Sequence, residues 1–313
     1  MTAQNTRVTP KKKGFFRTAY AQRQFLVLTA PFLLMVFVFN YLPIWGWLIA
    51  FQNYTPAKGI MKSRWLGLAN FAEAFSDRNF TNAIVNTLSI SVLRISLGFT
   101  SAILLALMLN EVKNVVFKRT VQTISYLPYF ISWVVASSIV YMTLSPSGIV
   151  NELLMALGLI KKGIPFMGNP KYFYGVAGIS HIWKNVGWNA IIYLAAMTGI
   201  DHEVVEASIV DGAGRLRRIW SITLPGIMPT IKILLVLAIG TLMSASFEHI
   251  YLLSNPSNIS ASRTLEVYVY TYAMRSGRYS YGTAVGIFNS TVAITLIMIS
   301  NWISKRIDGY GIF

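Results

Sequence analysis

Six apolar stretches dominate this chain, near residues 24–49, 83–109, 121–144, 174–200, 229–253 and 282–303. Several approach or exceed the roughly 20 residues that carry an α-helix across a bilayer. The expected fold class is all-α: a polytopic membrane protein with six transmembrane helices. Composition agrees. The chain is 54% hydrophobic and 12% charged, against about 25% charged in soluble domains, and its mean hydropathy is +0.53.

The formal net charge of +16 would point to nucleic acid on a soluble domain. Here the basic residues flank apolar spans and meet anionic membrane lipid. With no aromatic-basic RNA motif and no zinc-finger spacing, nucleic acid is not expected as a partner. The absence of cysteine removes disulfides, thiolate metal sites and Cys nucleophiles. His181, His202 and His249 are far apart and give no metal spacing. No metal and no cofactor bound by this chain are expected.

The chain divides into a basic tail over 1–23, a six-helix transmembrane domain over 24–304 and a second tail over 305–313. The first apolar run continues past Tyr41 with no small-residue cleavage pattern, so it reads as an uncleaved span rather than a signal peptide. Pro31 and Pro43 should bend it. Lys and Arg are more frequent on the side that holds the first tail, which puts both termini in the cytoplasm. Short interfacial helices are expected over 70–80 and 149–159.

One polar segment, 201–228, interrupts the apolar pattern between spans four and five. Asp201 can cap a short helix over 202–210. Glu203 and Glu206 then lie in its first turns, where negative charge suits the helix dipole. Asp211-Gly212 is a turn signal, because Gly takes the left-handed conformation that ends helices. A second helix should begin near Gly214, carry Arg215, Arg217 and Arg218, and stop at Leu224-Pro225. Pro229 should open span five. The plainest reading is an amphipathic connector lying on lipid, which the arginines suit. The acids at the front of the first helix suit a basic protein partner better.

The run Glu206-Ala207-Ser208-x-x-Asp211-Gly212-Ala213, followed by Ile222-Thr223-Leu224-Pro225, resembles the "EAA loop" of bacterial ABC importer permeases. Ser208 departs from the second Ala of that motif, and it is small. The resemblance extends over nearly the whole chain. Tyr41-Leu42-Pro43, the run from Trp65 to Phe71, the run from Tyr126 to Trp133, and the run from Phe247 to Pro256 resemble the carbohydrate-importer branch. They are most similar to the subgroup serving oligo- and polysaccharides such as alginate and aldouronate-type sugars. The resemblance implies the type I ABC importer permease fold in a multi-pass bacterial cell-membrane protein. It implies partnership with a second permease subunit, two ATP-binding subunits and an extracytoplasmic solute-binding protein. In that family the first loop helix seats in a cleft of the ATPase. It implies coupling roles for Glu203, Glu206, Ala207, Asp211, Gly212, Ala213, Leu224 and Pro225. ATP and Mg²⁺ would be used by the partner subunits, in keeping with the lack of a phosphate-binding G-x-x-x-x-G-K-[ST] loop here.

Polar residues inside spans are candidates for a substrate pathway. Span four carries His181, Lys184, Asn185, Trp188 and Asn189. Trp188 with Asn185 and Asn189 offers an aromatic face and planar polar groups, a set suited to sugars. The alternative is interhelical packing, with Lys184 snorkelling or paired to Glu248. Ser244, Ser246 and Glu248 are further pathway candidates near the outer end of span five. At 1.5 Å per residue, Glu248 would stand about 28 Å above Pro229 on one helix. Tyr129 and Trp133 of span three are candidates too, although interfacial aromatics also serve as anchors. Arg94 should face the bundle interior or a water-filled cavity, and Lys232 should snorkel from the inner end of span five.

Two other classes compete with an importer permease. An ion-coupled secondary sugar transporter would need acids or a histidine relay mid-membrane, and Glu248 is the only acid expected within a span. A membrane-embedded glycosyl-transfer enzyme would need paired carboxylates. Glu203, Glu206 and Asp211 form the only acidic cluster, and docking also accounts for their neighbours Gly212 and Pro225.

Overall fold

A computed structural model describes residues 22–308. The expected tail over 1–23 falls almost wholly outside that range, and so does the end of the tail over 305–313. The described chain is helical apart from loops and a two-residue antiparallel ladder, Gln52–Asn53 against Arg64–Trp65. The all-α expectation holds.

The first span is α1 (Arg23–Val36), continued through a π turn (Phe37–Tyr41) and a 3-10 segment (Leu42–Phe51). It packs against the last helix and turns most of its apolar side chains outward. Helix α2 (Ala69–Ser76) lies after it, where Asn70 donates from Nδ2 to the carbonyls of Ala50 and Gln52. The second span is α3 (Arg78–Glu111), with Asp77 capping its first turn at Asn79 N. Helices α4 (Val115–Phe130) and α5 (Trp133–Thr143) follow, then α6 (Ile149–Ala156) and α7 (Pro170–Met197). Beyond α7 come α8 (His202–Val210), α9 (Arg215–Arg218), α10 (Leu224–Gly240), α11 (Phe247–Leu253), α12 (Leu265–Tyr268) and α13 (Tyr279–Asp308).

Helix α3 packs most extensively on α7, and α7 in turn packs on α4. Glycine permits the second contact: a Cβ on Gly187 would lie 2.1 Å from the Ser125 carbonyl oxygen. One apolar cluster joins α3, α7 and α10 through Ala106, Ala190, Tyr193 and Ile227. Another joins α3, α7, α11 and α12 through Ile90, Phe173, Ile250 and Val267.

Among the described residues, four helical runs are long and apolar enough to cross a membrane: Arg23–Phe51, Arg78–Glu111, Arg215–Gly240 and Tyr279–Arg306. The pair α4 and α5 is long and apolar enough only when taken together, and it is bent by 105° at Ile131–Ser132. The expected fourth span is α7. It is 28 residues long, and Lys184, His181 and its asparagines make it too polar to join the apolar set.

Three expectations about the spans are corrected. The expected third span over 121–144 is two helices rather than one: Ser132 Oγ accepts from Val135 N and starts the second. The second loop helix does not stop at Pro225. Proline lacks the donor for its turn, and a π turn over Ile219–Thr223 absorbs that loss, so the path runs from Arg215 to Gly240. Lys232 therefore lies well inside a helical run, not at its end. Finally, the fifth span stops at Gly240. Residues 241–246 are non-helical, and α11 starts after Ser246, which holds φ 67°. Glu248 thus does not stand on one continuous helix with Pro229.

Candidate functional site: a cornered loop and two broken spans

The polar loop folds from local signals. Asp201 caps α8, accepting from Glu203 N at 2.9 Å. At the other end Gly212 adopts φ 76°. Ala213 N donates to Ser208 O at 2.9 Å and Gly212 N to Ile209 O at 3.0 Å, so the terminal carbonyls of α8 are satisfied by a left-handed glycine corner. The chain turns there into α9. Arg218 fixes the corner from outside: its Nη1 donates to Ala213 O at 2.9 Å, and its Nη2 lies 3.8 Å from Glu111 at the end of α3. No residue of α8 is buried. Glu203, Glu206, Ala207, Asp211 and Gly212 are exposed, Ala213 is half-buried, and Val204, Ile209 and Val210 present apolar surface beside them. Leu224 is half-buried and Pro225 exposed, on the helical run beyond the corner.

The second feature is polar capping of the broken spans. The last four carbonyls of a helix have no partner within it, and they carry the negative end of its dipole. At the break in span three, Lys184 of α7 donates from Nζ to Tyr129 O at 2.7 Å and to Pro128 O at 3.4 Å. Its ammonium also lies 5.4 Å from the Tyr129 ring and 5.2 Å from that of Trp133, within cation–π range. At the break in span five, Arg94 of α3 donates from Nη2 to Ser244 O at 2.8 Å and Thr241 O at 3.3 Å. Ser91 Oγ donates to the same Ser244 carbonyl at 3.3 Å. In lipid such backbone groups must find partners within the protein. Each interruption is held by a cation from a different span.

The pathway candidates separate accordingly. Trp188 stacks on Tyr129, with centroids 4.4 Å apart and planes 3° from parallel. Trp133 stacks on His249 at 4.0 Å, and Ser180 Oγ meets His249 Nε2 at 2.9 Å. Tyr129, Trp133, Lys184 and Trp188 therefore converge on the first break. Asn185 is turned back, donating to His181 O at 2.8 Å, and Asn189 is half-buried one turn further on. Ser244 and Ser246 belong to the second break. Glu248 is exposed on α11 and acts on Lys184 through its charge, while the hydrogen bonds of Lys184 go to the carbonyls.

The sequence reading missed Glu266. Lying between the expected fifth and sixth spans, it accepts from Ser244 Oγ at 2.7 Å and lies close enough to Arg94 to act on its charge. Glu248 is thus not the only acid packed among the spans. No local pattern gives Glu266 away, because 22 residues separate it from Ser244.

Similarity to known proteins covers nearly the whole molecule. The chain is 42% identical to Protein LplB of Bacillus subtilis, over 92% of this chain and 90% of the relative. It is 40% identical to the polygalacturonan/rhamnogalacturonan transport system permease protein YteP of the same organism, over 97% and 94%. Among solved structures, it superimposes with a TM-score of 0.86 and 37% identity on a chain of a bacterial ABC transporter involved in import of the acidic polysaccharide alginate, covering 94% of this chain and 99% of that one. A chain of a bacterial alginate ABC transporter in complex with its pentasaccharide-bound periplasmic protein gives 0.88 and 36%, over 96% and 100%. Residues 95–309 match the family model described as binding-protein-dependent transport system inner membrane component, and that match takes in the cornered loop and the contact of Lys184 with the first break. The chain belongs to this family of multi-pass, non-enzymatic membrane permeases.

Proposed function

We propose that this chain is one permease subunit of an ATP-driven importer, and that it forms, with a second permease, the conduit for an acidic oligo- or polysaccharide. The observation that carries the reading is the near full-length likeness to permeases named for alginate and for polygalacturonan/rhamnogalacturonan. Those polymers share uronate units. An extracytoplasmic binding protein delivers the sugar, and two separate subunits use ATP and Mg²⁺.

Six crossings with both termini in the cytoplasm would put the loop over 201–228 on the ATPase side. The exposure of α8 supports a docking role: Glu203 and Glu206 offer charge to a basic cleft, and Val204 and Ile209 offer apolar contact. Movement of α8 reaches the spans by two routes. One is the continuous helix from Arg215 to Gly240, and the other is the Arg218 bridge to Glu111. Tyr129, Trp133, Trp188, Asn185 and Asn189 line the sugar's route at the first break, with Ser244, Ser246 and Glu248 at the second.

The test is uptake of labelled oligogalacturonate or oligoalginate by proteoliposomes that contain the complete importer and its binding protein. ATP-dependent uptake supports the reading. Uptake driven by a proton or sodium gradient without ATP would favour the ion-coupled class and overturn it.

A further inference from the structure

A groove of about 980 Å³ runs along the end of α3, the start of α4 and the helical run that begins at α9. Its walls are apolar and open: Leu104, Met108, Phe117, Leu216 and Trp220 are each more than half exposed. Charge is confined to one end, with Glu111 and Lys113 where α3 turns toward α4, and Arg215 at the start of α9. From Thr100 at the other end to Glu111, the groove follows α3 for about 16 Å at 1.5 Å per residue. That is about half of the roughly 30 Å hydrocarbon core of a bilayer, the depth of one leaflet.

The charge at that end is unbalanced. Arg218, one turn after Arg215, offsets Glu111 with its Nη2 3.8 Å from the carboxylate. Lys113 and Arg215, both exposed, are left as excess positive charge. The chain's own first tail does not complement it, because Arg7, Lys11, Lys12, Lys13 and Arg17 carry the same sign. A uronate chain would meet the two cations but leave its hydroxyls against apolar walls. A ligand with an anionic head and an apolar tail about one leaflet long satisfies both ends.

We propose that the groove binds an anionic glycerophospholipid, with an acyl chain along α3 and the phosphate between Lys113 and Arg215. Trp220 suits this placement, because indole rings favour the level where chains meet headgroups. Basic side chains at a span end attract anionic lipid for the same reason that they anchor the span. Bound there, the lipid ties α9, directly after the glycine corner, to the end of α3 beside the Arg218–Glu111 bridge. The site does not depend on which sugar is carried.

The test is quenching of Trp220 fluorescence in the complete complex, reconstituted in phosphatidylcholine vesicles. Brominated phosphatidylglycerol or brominated phosphatidylcholine is the added lipid. The chain has eight tryptophans, so the Trp220 signal is the difference between wild type and Trp220→Phe. The anionic lipid should quench this signal at a lower mole fraction, with a preference of about fivefold for each cation, the scale of one basic residue beside an anionic surface. Lys113→Gln and Arg215→Gln should each remove about fivefold of that preference. Both side chains are exposed, and size exclusion checks that each variant complex assembles. Equal quenching by the two lipids in wild type overturns the proposal. So does a preference that neither variant alters. Quenching by neither lipid would mean that another subunit's helix or the first tail fills the groove, and overturns it as well.

Discussion

Lys184 Nζ, on α7, donates across 2.7 Å to the carbonyl oxygen of Tyr129, on the last turn of α4. A buried ammonium thereby closes a helix end that lipid could not satisfy. Replacing it with methionine keeps the apolar stem and removes the donor. Carbonyls left without a partner cost about 1–3 kcal/mol. Lys184→Met should lower the melting temperature of the purified complex by several degrees, and Lys184→Arg should recover part of the loss. Equal melting temperatures for wild type and Lys184→Met would show that the carbonyls need no cap.

Arg94 has the matching task at the second break. Its bonds to Ser244 O and Thr241 O hold residues 241–246 out of helical geometry. Arg94→Leu should loosen this segment and speed amide exchange there, with little change in α8. Hydrogen exchange followed by mass spectrometry reads both segments in one experiment. Unaltered exchange over 241–246 would mean that the break is held by other contacts.

Gly212 sits at φ 76°, and a Cβ added there would meet nothing within 4 Å. The cost of a side chain is therefore conformational, about 1–2 kcal/mol in the left-handed region and more for a β-branched residue. Gly212→Val should leave the protein in the membrane but misalign α8. ATP hydrolysis would then continue with uptake reduced at least tenfold. Normal uptake in this variant would remove the corner from the coupling account.

Asp77 gives a pH dependence outside the spans. Partial burial works against its ionisation, but hydrogen bonds from Tyr268, at 2.5 Å, and from Asn79 outweigh burial and hold its carboxyl below the usual value of 3.8. A folded-state pKa below the unfolded one stabilises the fold above the unfolded value, and that contribution is lost as pH falls through the folded value. The melting temperature should therefore fall on acidification below about pH 4. Asp77→Asn should melt lower at neutral pH and show a shallower acid dependence. Parallel pH profiles for the two proteins would count against this role.

The loop was legible in the sequence because its determinants are local: an aspartate before the helix, a glycine after it, and arginines one turn on. Four of the expected spans were legible as apolar length. What escaped was the shape of spans three and five. Pro128 marks the third span but does not sit at its break, which falls at Ile131–Ser132 where Ser132 can restart a helix. The fifth span reads as uninterrupted because Gly240-Thr241-Leu242-Met243-Ser244 carries no proline, and its break is held by Arg94, 150 residues away from Ser244. Glu266 escaped for the same reason. Pro225 misled in the opposite direction: its missing amide was absorbed by a π turn instead of ending the helix.

The central claim is that transport through this chain is powered at the cornered loop by ATP. Its most direct test is uptake of labelled oligouronate into proteoliposomes holding the complete importer, with ATP present or absent and with proton and sodium gradients imposed or collapsed. Uptake that requires ATP and the binding protein, is indifferent to both gradients, and falls at least tenfold in Gly212→Val is the predicted result. Uptake that follows a gradient without ATP would contradict it.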